Sequence, residues 1–190
     1  ALRPGTYRFA DDEESIVLPA MAPLTGNLAD ANYSFIVGAY SQANSNPFSV
    51  RIERAVTEIS VPITIGDFLG TLRPIDPAPE SLASSHSLLI ENEAPATGLP
   101  SFHLHQFSDD QGTQLLRMFS RGSELRSPIP ALDGKGVPVF PTDSDVSWTF
   151  YSISIPELSF DDFNYRHLGA NYWSAYAADS YWVRFPSPSP

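Results

Sequence analysis

Eighteen prolines and eleven glycines punctuate this chain. A proline inside a helix costs about 3 kcal/mol, because it lacks the amide donor and its ring clashes with the preceding turn. Little room is left for long helices, and the stretches between breakers alternate instead. In Phe48-Ser49-Val50-Arg51-Ile52-Glu53 the apolar residues fall on one side and the polar ones on the other, the period of a half-buried strand. Thr57, Ile59, Val61 and Ile63 repeat the pattern, with Pro62 suggesting an edge or a bulge. Upstream, Tyr33 to Tyr40 is β-branched and aromatic, and the polar link Ser41 to Pro47 reads as a turn. These three runs predict a meander.

A second group of strands is expected at Ser87–Ile90, Ser101–Ser108, Gln114–Ser120, Ser147–Ile155 and Tyr181–Phe185, with Asp109-Asp110-Gln111-Gly112 as a hairpin signal. Pro79–Ser85 and Phe160–His167 have room for a helical turn, and the Pro/Ser tail 187–190 reads as a linker. The expected fold class is therefore all-β. A soft boundary near residue 65 separates an N-terminal strand region, 1–65, from a main unit, 66–186.

The stretch Asp67 to Pro74, the strand Phe102-His103-Leu104-His105-Gln106-Phe107 with its hairpin partner, Ser147 to Ile153, and the closing Tyr181-Trp182-Val183-Arg184-Phe185 together resemble the strand order of fibronectin type III and Ig-like modules of bacterial surface proteins and lipoproteins. The resemblance covers roughly residues 66 to 186 and lies in pattern rather than in a signature motif. It implies an Ig/fibronectin-like antiparallel β-sandwich with an N-terminal β-meander extension, and a spacer, adhesion or recognition role. It carries over no catalytic residue.

Charge and composition narrow the partners. The net charge of −11 repels phosphate backbones and anionic headgroups, so nucleic acid is a poor partner. A hydrophobic fraction of 42% is too high for a disordered chain, and no apolar run of about 18 residues is present to insert in a membrane as a helix. The absence of cysteine removes disulfides and thiol chemistry. The start at Ala1-Leu2-Arg3-Pro4-Gly5, without Met, is what processing for export would leave, and it points to an extracellular or cell-surface location.

Three constellations could carry chemistry. His103 and His105, two apart on a predicted strand, share a face and could hold a metal with Asp109 and Asp110 at the adjoining turn. The alternative is an outward polar face opposite Phe102 and Leu104, and His86 or His167 could join only through the fold. The acidic clusters Asp11 to Glu14, Asp109-Asp110, Asp143 to Asp145 and Asp161-Asp162 are candidate calcium loops, although none has EF-hand spacing. Otherwise no cofactor is expected.

The segment Phe160 to Phe185 holds nine of the 23 aromatic residues. Tyr165, Tyr172, Trp173 and Tyr176 in it suit a platform for a carbohydrate or protein ligand, with Trp148 and Trp182 expected in the core. The competing account is that the loop aromatics cap the core.

No nucleophile elbow or phosphate loop is present, so a non-catalytic binding or structural module is the expectation. One alternative is a carbohydrate-active or metal-dependent hydrolase using a carboxylate pair. Another is a subunit of a capsid, filament or appendage, with homo-oligomers or larger assemblies as partners.

Overall fold

The computed structural model describes residues 21, 23–41, 46–59, 61–65, 68–83, 87–92, 99–129, 140 and 144–185. Nine strands are described: β1 (Tyr33–Tyr40), β2 (Phe48–Val56), β3 (Leu72–Asp76), β4 (Ser87–Asn92), β5 (Phe102–Ser108), β6 (Gln114–Arg121), β7 (Arg126–Pro128), β8 (Val146–Ser154) and β9 (Ala175–Val183). Among the described residues, helix is confined to short 3-10 turns at Gly26–Leu28, Phe160–Asp162 and Tyr165–Leu168. The protein is all-β.

The strands form two antiparallel sheets, a large one in the order β1-β2-β9-β8-β5-β6 and a small one in the order β3-β4-β7. β2 hydrogen-bonds to β9, so the N-terminal hairpin continues the sheet that holds β5 and β8. The soft boundary near residue 65 falls in the connection between β2 and β3.

Alternation on β8 sets the core. Val146, Trp148 and Phe150 are fully buried between the sheets, while Ser147, Thr149 and Tyr151 take the outer face. Phe107 stacks on Trp148 with ring centroids 5.7 Å apart, and Phe140 stacks on Phe185 at 4.1 Å. Leu72 and Ile90 from the small sheet join this cluster. A second cluster lies on the outer face at the other end of the same strands. There Phe102, Leu104, Ile153 and Ile155 are covered by Leu158, Phe160, Phe163, Leu168 and Trp173.

Four expectations change. Thr57, Ile59, Val61 and Ile63 form no strand among the described residues, and the meander stops at two strands; Pro62 has no amide to give a third ladder. The closing strand begins at Ala175 rather than Tyr181, since Ala175, Ala177 and Ala178 read poorly as strand yet are each 1% exposed where neighbouring strands need small side chains. β3 carries a proline inside a strand, at Pro74, and was hidden by it. Trp182 is 48% exposed, not buried, because Trp148 pairs with Tyr181 and the next residue must point to the opposite face.

The expected turns at Asp109–Gly112 and Phe160–His167 are present. At the first, Asp109 Oδ1 accepts from the amides of Gln111 and Thr113, and Gly112 supplies the positive φ of +81° that the hairpin requires. The tail 187–190 lies outside the described residues.

Candidate functional site

The two strand histidines point inward. His103 and His105 project from β5 between the sheets, both 0% exposed, with ring centroids 6.3 Å apart. The histidines do not form the outward polar face expected for them, because this end of β5 is covered on both sides: Phe102 and Leu104 pack beneath the 158–173 segment, and the histidines face the inter-sheet layer. His103 Nε2 donates to Gly122 O at 3.1 Å, which leaves Nδ1 to accept from the Ser152 hydroxyl at 3.1 Å. Gly122 can come that close only as glycine, since a Cβ there would sit 1.6 Å from Pro100 O.

His105 shares a 3.2 Å contact with Ser120 Oγ, and its Nδ1 has no partner, nor does the nearby Trp148 Nε1. Burial lowers the pKa of His103 to about 4 and that of His105 to about 3, with the neighbouring His103 also lowering the second. Both rings are neutral at pH 7 and act as core polar groups.

A metal centre does not assemble around them. Asp109 and Asp110 lie in the hairpin turn, where Asp109 spends one oxygen on two backbone amides. His167 sits on the aromatic segment outside the large sheet, accepting from the Asn164 amide, and His86 lies outside the described residues. Among the described residues no group of three or more His, Asp or Glu is placed to hold a metal ion. Of the acidic clusters, Asp161 pairs with Arg121 at 2.6 Å and Asp145 with Arg184 at 2.6 Å, each pair lowering its carboxyl pKa. Asp11 to Glu14 and Asp143 lie outside the described residues.

The aromatic segment divides in two. Trp173 donates its indole N–H to His167 O at 2.8 Å and packs edge-on against Tyr176, 5.2 Å away, and Arg54 holds the Trp173 and Ala170 carbonyls. These two rings are half-buried and belong to the outer cluster. Tyr165 and Tyr172 are exposed, at 76% and 45%, each touching that layer by one edge, against Phe119 and His167 respectively. Of the four candidate ligand residues, the structure puts two at the surface and two in the packing.

Sequence reasoning missed the other half of the same outer face. Pairing registers set Trp182 beside Ser147, Ser108 and Gln114 in one row, and Ser180 beside Thr149, Gln106 and Arg117 in the next. Thr149 and Ser180 hydroxyls bond at 2.8 Å, and Arg117 donates to the Gln106 amide oxygen at 2.6 and 3.0 Å. At about 4.8 Å between strands, the four-strand row is about 14 Å long. The signal was present in the sequence as the polar phase of the alternating runs, but only pairing shows that those phases align beside one exposed indole.

In the three comparisons with known proteins, no family model, no curated protein and no solved structure matches this chain.

Proposed function

We propose that this protein is a non-catalytic carbohydrate-binding module of a secreted or cell-surface protein, built as a β-sandwich. It takes neutral glycan on the outer face of the large sheet. The observation that carries this reading is Trp182, 48% exposed at the end of one row of hydroxyl and amide side chains and beside a second. An indole face accepts the C–H face of a sugar ring, and Ser, Thr and Gln both donate to and accept from sugar hydroxyls. The rows carry a single charge, Arg117, already engaged by Gln106, so a neutral chain is the better complement. Tyr165 and Tyr172, exposed at the far end of that face, extend the contact surface.

Affinity electrophoresis against neutral β-glucans, xylans and mannans tests the reading. One of them should retard the protein, and Trp182→Ala should remove about 2 kcal/mol or more of that binding without moving the urea midpoint. Absence of retardation across the panel, or retention of it in Trp182→Ala, rejects the site.

A second reading, as a subunit of a larger assembly, is favoured by β1. Among the described strands this one lies at the end of the large sheet, carries no charged residue from Tyr33 to Tyr40, and leaves Ile36 70% exposed. Charges are the usual way an edge strand is kept from pairing with another chain. Light scattering of the protein and of Ile36→Lys separates the two: an oligomer that the lysine dissociates supports assembly.

A further inference from the structure

On the outer face of the large sheet, Gln106 is held in one orientation. It stands in the row Ser180, Thr149, Gln106, Arg117, with Thr149 opposite it on β8 and Arg117 opposite it on β6. Arg117 donates to the Gln106 side-chain oxygen from Nε at 3.0 Å and from Nη2 at 2.6 Å. An amide oxygen has two lone pairs, and the fork of this one guanidinium takes both. Gln106 therefore has no acceptor left for a molecule lying on the face. What remains is its NH2, two donors turned away from Arg117. The positive charge bonded to the oxygen polarises the amide and strengthens those donors.

The neighbours of Gln106 differ on its two sides. Thr149 and Ser180 share one hydroxyl bond at 2.8 Å, which leaves that pair both a donor and lone pairs for a ligand. A sugar hydroxyl donates and accepts, so those two residues meet it in full and Gln106 meets only half of it. A carbonyl oxygen accepts alone and is the full complement of a donor-only amide. Toward the sealed end of the face, two residues or about 7 Å along the strands, the next row carries Leu104 on β5 and Tyr151 on β8. Leu104 is buried and Tyr151 half-buried, both in the outer apolar cluster. Gln106 thus stands at the border between a polar row and an apolar one.

We propose that the glycan taken by this face is an acetylated one, with an acetyl carbonyl accepting from the Gln106 NH2 and the acetyl methyl lying on the Tyr151 side. The proposal rests on the glycan reading above and names the substituent which that reading leaves open. Two kinds of sugar present this neutral group, an acetamido sugar and an O-acetyl ester, and the same donors and apolar border serve either.

Calorimetric titration of the full chain with two matched pairs tests it. The first pair is chitohexaose and cellohexaose, which differ only in acetamido for one hydroxyl on each sugar; the second is acetylated glucomannan before and after alkaline deacetylation. In at least one pair the acetylated member should bind about tenfold more tightly, the first pair marking an acetamido sugar and the second an ester. Gln106→Glu keeps an oxygen for Arg117 and loses the NH2, so it should erase that difference without moving the urea midpoint. Equal affinities within both pairs, or an acetyl preference that survives in Gln106→Glu, overturn the proposal and leave the glycan face standing. No binding of any of the four probes overturns both. Should Gln106→Glu fail to fold, Arg117→Met carries the test by releasing the amide to turn its oxygen outward. Loss of the acetyl preference in that variant supports the proposal, and its retention overturns it.

Discussion

The two faces of the large sheet are built from the same alternating strands and have opposite chemistry. Toward the small sheet, Trp148, Phe107 and Phe150 pack around two neutral histidines, and polar atoms there either find an internal partner or go without, as His105 Nδ1 and Trp148 Nε1 do. On the outer face, one end is sealed by the 158–173 segment and the other presents Trp182 among hydroxyls. Residue type does not distinguish these environments: there are tryptophans on both faces. What covers each face decides whether a polar or aromatic side chain is core or surface.

Mutation of the tryptophans sharpens the contrast most. Trp148→Ala should cost about 3 to 5 kcal/mol in urea melts, through lost transfer energy and the cavity left behind. A loss below 1 kcal/mol would mean that the inner face is not the dry core described.

Acid should reveal the inner face next. Each histidine binds its proton more weakly in the folded protein, at about 4 for His103 and about 3 for His105, than in the unfolded chain at 6.5. The unfolded state therefore takes up protons first, so stability is complete above the unfolded value and drains away as pH falls from 6.5 through 4 and 3. At pH 5 the loss is about 2 kcal/mol for each ring. His105→Phe should flatten part of the slope; equal slopes in the two proteins would place the histidines in water.

Smaller effects separate the two ends of the outer face. Trp173→Phe keeps the aromatic packing and removes the bond to His167 O, which should cost about 1 kcal/mol in the same melts. Trp182→Ala, at the open end, should shift stability by no more than about 0.5 kcal/mol. Equal losses at both positions would show that the polar rows are covered too, and the glycan surface would lose its basis.

Much of the strand pattern was legible. Where apolar and polar residues alternate without interruption, as in Phe48–Glu53 and Val146–Ser152, the period of two places each side chain on a face and the strand follows. The strands that escaped are those whose residues answer to neighbours rather than to propensity: β3 around Pro74, and the alanines of β9. The candidate sites were legible as residue types and not as locations. A histidine pair two residues apart had to share a face, but its direction depended on the outer cover over Phe102 and Leu104. Trp182 looked like core because it lies in an apolar strand, and its exposure depends on being out of phase with Trp148 across the ladder.

The amino-acid sequence by itself determined that this chain is all-β, because proline and glycine forbid long helices and period-two runs fill the intervals. It also excluded cysteine chemistry and made a polyanionic partner unfavourable. Only the tertiary structure decided which face of each strand is covered, which hydroxyls line up across β9, β8 and β5, and that β2 and the 80–83 segment share one side of β9. Those outcomes rest on pairing register and on contacts between distant segments. Alternation along one strand specifies two faces but carries no information about what will lie against either.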